Sequence, residues 1–259
     1  MSAPNVDLVL VIDTSLSMEP CIHALREHLK AVIKPLQGYV ASIRYGLVGI
    51  SVSKSAEGSE LYQLRSIRQG VDPMDVLYLS EQEHAQTNLF TSNPDELIES
   101  LNQLKPFGDE RMLFALDTAL DMPFWPLANT KRVIAMFTDE PLETNIRGIE
   151  DIKMIPALIE KIQARHVQLF CAMPDGDGTQ LLAEADRSEI ELVQDGGGLS
   201  DVDFGKLMQQ MGKSISNSVL QMATTEDFKR ALFDQDKFET SNEVGENRDL
   251  NKNRSGFRQ

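Results

Sequence analysis

Hydrophobic positions along the chain alternate between short continuous runs and longer stretches with helical spacing. Residues 6–13 are apolar at nearly every position, which is typical of a central parallel strand that is buried on both faces. Residues 20–37 then carry apolar side chains three and four positions apart, which predicts a helix. The same order returns further along the chain. It predicts an α/β fold with a doubly wound, mostly parallel sheet and helices on both faces.

The second and third predicted strands should pair differently from the rest. A strand over 43–52 is followed by turn-forming residues at 54–59 and then by a strand over 60–67. So short a connection allows only antiparallel pairing, because a parallel crossover needs a dozen or more residues. We therefore expect one antiparallel strand at the edge of the sheet. Residues 69–92 are ambiguous and suggest a short strand at 76–79.

The remaining elements are predicted from periodicity and from end signals. Asn93 is an N-cap candidate and Pro94 occupies the first helical position, so a helix is expected from there to about Leu104. The other expected elements are helices near 110–121, 149–165, 178–187 and 201–222, and strands near 132–138, 167–172 and 190–194.

One domain and one tail are expected. Residues 1–223 contain all of the periodic segments, whereas residues 224–259 are polar, with interspersed charges. Such a composition cannot bury enough apolar surface to fold alone, and it predicts a flexible C-terminal tail. Residues 228–233 could add one helical turn within it.

The composition narrows the classes of function. The 259 residues carry a formal net charge of -15, which disfavours binding to nucleic acid or to anionic membranes and favours cations and basic partners. Cys21 and Cys171 are far apart in sequence, which favours a reducing compartment over a disulfide framework. The apolar run near the N-terminus is too short for a signal sequence or a membrane span. We therefore expect a cytoplasmic protein.

Three loops should bring oxygen-bearing side chains to one edge of the sheet. The first follows the strand at 6–13, the second lies between two helices, and the third follows the strand at 132–138. In that order they carry Asp13, Ser15 and Ser17; Asp109 and Glu110; and Thr138, Asp139 and Glu140. The first and third loops should face each other across the topological switch point of the sheet. Oxygen ligands suit Mg²⁺, Mn²⁺ or Ca²⁺ and disfavour zinc or copper.

These residues also allow a purely structural interpretation. Asp13 and the two serines could cap exposed N–H groups where the strand turns into a helix. Asp109 and Glu110 could be first-turn acids that the helix dipole favours. Asp139 has no comparable structural need at the end of a strand. Taken together, the three loops favour a metal site over three independent caps.

The chain resembles a von Willebrand factor A (VWA, or integrin I-like) domain over roughly residues 5–222. The most specific segments are DTSLSM (13–18), FGDERMLFALDTAL (107–120) and RVIAMFTDEP (132–141). The resemblance is to intracellular members of the prokaryotic type. It implies a Rossmann-like fold and a metal-ion-dependent adhesion site (MIDAS).

Carried over by position, the resemblance implies five metal ligands, and three neighbouring residues are expected to support them. The ligands are Asp13, Ser15, Ser17, Asp109 and Asp139, and the supporting residues are Glu110, Thr138 and Glu140. Leu16 and Glu140 stand where the family usually has glycine, and Asp109 stands where many members have threonine. A third carboxylate makes the site formally about -1, which should tighten cation binding and weaken the attraction for an acidic ligand. Which carboxylates bind the metal directly, and which through water, stays open.

The sequence supports two functions from different classes. The favoured one is a non-enzymatic, metal-dependent protein-interaction module, because the chain has no Ser-His-Asp order, Walker loop or HExxH motif. The resemblance implies an adaptor whose partner is an AAA+ ATPase, a kinase or a phosphatase, in stress resistance or phage defence.

The alternative is a Mg²⁺-dependent phosphoester hydrolase that uses the same acidic cluster. Ser15 argues against it, since a haloacid-dehalogenase-type enzyme would have a second aspartate there. A third possibility is that the tail after residue 223 is itself a docking peptide.

Overall fold

A seven-stranded sheet forms the centre of the molecule. The computed structural model describes residues 4–36, 40–54, 60–66, 89–124, 129–200 and 202–219. The strands are β1 (Asn5–Asp13), β2 (Ser42–Lys54), β3 (Glu60–Arg65), β4 (Phe90–Thr91), β5 (Thr130–Phe137), β6 (Val167–Pro174) and β7 (Ser188–Val193). Their order is β3-β2-β1-β5-β6-β7, and β4 pairs with β2. The strand expected at 76–79 and the tail at 224–259 lie outside the described residues.

The pairing of the strands confirms the doubly wound, mostly parallel sheet. β1 pairs in parallel with both β2 and β5, and β5, β6 and β7 continue the parallel arrangement. β3 is antiparallel to β2, as the short connection before it predicts. The structure adds β4, which is also antiparallel to β2. The expected antiparallel edge strand, β3, is therefore confirmed, and β4 adds a two-residue antiparallel pairing with β2.

Helices cover both faces of the sheet. They are α1 (Glu19–Leu36), α2 (Pro94–Gln103), α3 (Met112–Leu120), α4 (Gly148–Asp151), α5 (Ile155–Ala164), α6 (Asp177–Leu182) and α7 over residues 204–219. Short 3₁₀ turns occupy Leu16–Met18, Ile152–Met154 and Gly197–Leu199. The side chain of Asn93 accepts a hydrogen bond from the Asp95 N–H, which confirms Asn93 as the N-cap of α2.

Two hydrophobic cores lie on opposite faces of the sheet because side chains alternate along each strand. Leu8, Leu10 and Ile12 of β1 pack on the side of α1, α2 and α7. Val9 and Val11 pack on the side of α3, α5 and α6. β1 is thus buried on both faces, as its continuous apolar run predicts. This position makes the end of β1 a rigid support for the loop that follows it.

The helix expected over 178–187 is shorter in the structure. α6 ends at Leu182, and Arg187 adopts a left-handed conformation with φ 64°. The Ser188 side chain donates a hydrogen bond to the Ala183 carbonyl, and the chain turns directly into β7. α6 ends early because of the register between β6 and β7: β7 starts at Ser188, which pairs with Leu169.

The structure also bears on membrane association. In the part of the chain that it describes, none of the helices combines the length and the apolar character that crossing a bilayer requires.

Candidate functional site

The first loop begins where β1 ends at the top of the sheet. Asp13 is fully buried, and its carboxylate accepts a hydrogen bond of 2.7 Å from the Ser15 N–H. The Thr14 N–H donates to the Ile50 carbonyl at 2.9 Å and so continues the β1–β2 ladder past the last strand residue. The 3₁₀ turn at Leu16–Met18 then leads directly into α1. The loop is short and held at both ends, which suits a site that must keep its geometry.

The third loop meets the first, as the switch-point argument predicts. The Thr138 hydroxyl donates to the second carboxylate oxygen of Asp13 at 3.0 Å. The Ser17 hydroxyl donates to Asp139 Oδ1 at 3.0 Å, and the Ser15 and Ser17 hydroxyl oxygens are 3.1 Å apart. Four of the five residues expected as ligands are therefore linked by one chain of hydrogen bonds.

Burial is the main cause of the pKa shifts around the first and third loops. It raises the pKa of Asp13 to about 7, against the opposing effect of hydrogen bonds from Ser15 and Thr138, and the negative charge of Asp139 adds a smaller upward shift. Cys21 lies fully buried nearby, and burial, followed by the charges of Asp13 and Asp139, raises the pKa of its thiol. A cation at these loops would stabilise the carboxylate form of both aspartates.

The second loop is attached to the first through the backbone. The Phe107 N–H donates to the Thr14 carbonyl at 2.8 Å, and Asp109 exchanges two backbone hydrogen bonds with Val52 of β2. Gly108 has φ +68°, and a Cβ there would lie 2.2 Å from the Val52 carbonyl oxygen. The Asp109 side chain is exposed. The structure thus places Asp109 beside the site, and its role as a ligand stays a prediction.

Glu110, expected only as a supporting residue, is the buried acid of the second loop. It is 3% exposed, and Oε1 accepts a hydrogen bond of 3.0 Å from the Asn145 side chain. Burial, and then the charge of Asp13, raise the pKa of Glu110 to about 9; Glu140 and Asp109 contribute in the same direction.

Asn145 was not found by sequence reasoning. Its Nδ2 group donates to Glu110 and, at 3.2 Å, to the Pro141 carbonyl, while Oδ1 accepts from the N–H of Met112 at the start of α3. Asn145 thus joins the second and third loops. An asparagine in a polar loop has no periodicity or motif that reveals such a role, and its partner Met112 is distant in sequence.

A polar cavity of about 410 Å³ lies beside the second and third loops. Asp109, Glu110 and Glu140 line it together with residues 144–147. The Thr144 hydroxyl is 3.4 Å from a carboxylate oxygen of Glu140. Three carboxyl groups and one arginine, Arg147, therefore line this cavity.

The donor set fits a hard divalent cation. Neighbouring ligands of an octahedral Mg²⁺ with bonds of about 2.1 Å are separated by roughly 3.0 Å. The Ser15–Ser17 and Ser17–Asp139 oxygen separations, 3.1 and 3.0 Å, match such edges. Among the described residues, no group of three or more His, Cys, Asp or Glu side chains could hold a metal alone. A metal here would therefore need the serine hydroxyls as well as the two aspartates.

The unusual residues of the two loops do not disturb the backbone. Residues 13–18 and 138–141 all have negative φ angles, so neither Leu16 nor Glu140 occupies a position that requires glycine. Leu16 is 70% exposed and points away from the core.

Comparisons with known proteins identify the fold. Among solved structures, the SpRpn10 VWA domain superposes with a TM-score of 0.51 and 12% identity, over 80% of this chain and 95% of that one. Proximal thread matrix protein 1 from the mussel byssus, in crystal form 2, gives a TM-score of 0.48 and 13% identity. That match covers 83% of this chain and 46% of the mussel protein.

Sequence comparison adds nothing to this result. No family model matches the chain, and no curated protein sequence matches it. The first structural match, together with the strand order, shows that the chain has a VWA-type, Rossmann-like fold.

Proposed function

We propose that this protein is a metal-ion-dependent protein-interaction module. The proposed cofactor is Mg²⁺, with Mn²⁺ or Ca²⁺ as substitutes, bound by Asp13, Ser15, Ser17 and Asp139. The observation that carries the proposal is the row of oxygens from Ser15 through Ser17 to Asp139, with spacings of 3.1 and 3.0 Å. Four oxygen donors from two loops suit a hard cation and leave coordination positions for water or a partner.

We also propose roles for the other residues of the three loops. Asp109 is the proposed fifth ligand, directly or through water, because its backbone is fixed to β2 beside the first loop. Thr138 orients Asp13, and Glu110 supports the second loop through Asn145. Glu140 adds negative charge at the rim. The resulting excess of carboxylates favours a tightly held cation over strong attraction for an acidic partner.

Two large apolar side chains are exposed on segments that are connected to the candidate site. Leu16 lies between the two serines and is 70% exposed. Ile149 of α4 is 74% exposed, and α4 is tied to the second loop by two hydrogen bonds from Arg111 to Asp151, of 2.6 and 2.8 Å. We propose these two side chains as contacts for the protein partner.

The VWA-type fold agrees with this proposal by analogy only. We propose a non-enzymatic adaptor, active in the cytoplasm of a bacterium. Its partner would be an AAA+ ATPase, a kinase or a phosphatase within a stress-resistance or defence assembly. Neither nucleic acid nor a membrane is proposed as a ligand, because the net charge of -15 opposes both.

The proposal is tested by measuring whether partner binding depends on the metal. The full chain is immobilised, and proteins retained from an extract of the source cells are quantified in Mg²⁺, in EDTA and with Asp139→Ala. We expect proteins that are retained by the wild type in Mg²⁺ and lost in the other two conditions. Asp186→Ala removes an exposed aspartate elsewhere and should change nothing.

Two results would contradict the proposal. One is retention that is identical in Mg²⁺, in EDTA and in the Asp139→Ala variant. The other is turnover of a generic phosphoester that requires Mg²⁺ and disappears in Asp13→Asn, which would favour the hydrolase alternative.

A further inference from the structure

A groove of about 400 Å³ lies on the α7 side of the sheet. Its floor is formed by aromatic side chains of β5 and β6, Phe137 and Phe170. Leu207 and Met211 of α7 form one wall. Residues of β7, the last strand at the parallel end of the described sheet, complete the lining.

The rim of the groove is acidic. Glu189 and Glu191 of β7 line it, and both side chains are exposed. Glu189 is also held by the side chains of Gln168 and Ser214, which fasten α7 to the strands below the groove. Glu191 is exposed where it lines the groove. The groove thus combines an apolar floor with a negative edge, which suits an apolar segment that carries a positive charge.

The chain contains one segment with this chemistry just beyond α7. In Phe228-Lys-Arg-Ala-Leu-Phe233, apolar residues at 228, 231 and 232 fall on one face of a helix, with Lys229 beside that face. Thr225 is a suitable N-cap, and Glu226 and Asp227 follow it as first-turn acids. This pattern stands out within a tail that is otherwise polar.

The segment is close enough in sequence to reach the groove. The groove lies beside Met211, and α7 continues to residue 219, about 12 Å further along its axis. The six steps from residue 219 to the N-cap candidate Thr225 can span up to about 20 Å when extended. The chain can therefore turn back along α7 and reach the groove with length to spare.

We propose that residues 228–233 of this chain dock into the α7 groove. Phe228 and Leu232 cover the apolar floor, and Lys229 faces Glu191 at the rim. The docked segment covers the edge strand β7 at its exposed side, which would limit pairing of that edge with other chains. The proposal is independent of the metal site and of the proposed function.

Protection from trypsin tests the proposal, because trypsin cleaves after Lys229 and Arg230. Cleavage of these bonds in the full chain is compared by mass spectrometry with cleavage in an isolated peptide of residues 222–240. We expect cleavage at least about ten times slower in the full chain. Leu232→Ser should abolish the protection, whereas Leu250→Ser, the matched change further along the tail, should preserve it.

A charge exchange identifies the groove as the docking site. Glu191→Lys should restore fast cleavage after Arg230, and adding Lys229→Glu should restore the protection. Glu184→Lys alters an exposed glutamate outside the groove and should have no effect.

Three results would overturn the proposal. These are equal cleavage rates in chain and peptide, protection that does not respond to Glu191→Lys, and protection that rises with protein concentration. The last result would assign the segment to the groove of a second copy.

Discussion

Individual hydrogen bonds determine the geometry of the candidate site. Both carboxylate oxygens of Asp13 are already engaged, one by the Ser15 N–H and the other by the Thr138 hydroxyl. Asp139 is held by Ser17. These bonds fix the two buried aspartates and the serine hydroxyls relative to one another. The loops are therefore preorganised before any cation or partner is considered.

Thr138→Val should weaken the fold through one hydrogen bond. Valine keeps the shape of threonine but cannot donate to the buried Asp13 carboxyl, whose Oδ2 is 3.0 Å from the hydroxyl. We expect the free energy of unfolding to fall by about 1–2 kcal/mol, measured by urea denaturation. Thr138→Ser retains the donor and should lose much less. No loss in Thr138→Val, or a larger loss in Thr138→Ser than in Thr138→Val, would contradict this role of the hydrogen bond.

Gly108→Ala should destabilise the second loop. The residue has φ +68°, and an alanine Cβ would lie 2.2 Å from the Val52 carbonyl oxygen. We expect a loss of more than about 1 kcal/mol in thermal or urea unfolding. Gly196 also has a positive φ, +76°, but no atom lies within 4 Å of the position of its Cβ. A loss in Gly196→Ala as large as that in Gly108→Ala would mean that the contact with Val52 is unimportant.

At the scale of whole elements, periodicity predicted the structure where the local pattern was strong. The apolar run at 6–13 corresponds to β1, and the Asn93-Pro94 signal corresponds to the start of α2. Periodicity predicted the bounds of elements less accurately where pairing between distant strands determines them. α6 ends at Leu182 because β7 must enter the sheet, and the two-residue strand β4 exists only through its pairing with β2.

The buried lysine at the start of β5 makes stability depend on pH. Lys131 is 6% exposed, and burial, with a smaller contribution from Arg187, lowers its pKa from 10.5 to about 8, although Glu189 opposes the shift. Below about pH 8 the lysine is charged in both states, so its burial costs stability in full. Between about pH 8 and 10.5 the folded state releases the proton first, and this cost disappears.

Lys131→Met should therefore raise the free energy of unfolding at neutral pH, by on the order of 1 kcal/mol. The gain over the wild type should shrink as the pH rises from about 8 to 10. Urea denaturation at several pH values measures this difference in the free energy of unfolding. Lys105→Met, which replaces an exposed lysine, is the control. A gain that is constant across this range would contradict the assignment to the buried charge.

For the whole molecule, the sequence was sufficient to predict the fold and the meeting of the first and third loops. Parallel strands must bring their carboxyl ends to one edge, so Asp13 and Asp139 were expected together. The sequence alone does not predict which of Asp109 and Glu110 is buried, because the burial of each side chain depends on long-range contacts. Glu110 is buried through Asn145, whereas the Asp109 side chain is exposed.

A calorimetric titration of the full chain with Mg²⁺, and separately with Mn²⁺, tests the central claim most directly. We predict saturable binding of one ion by the wild type, lost in Asp139→Ala and unchanged in Asp186→Ala. This result would establish a metal site at the meeting point of the first and third loops. Absence of binding in the wild type, or binding that survives Asp139→Ala, would contradict the account and leave these loops with a structural role alone.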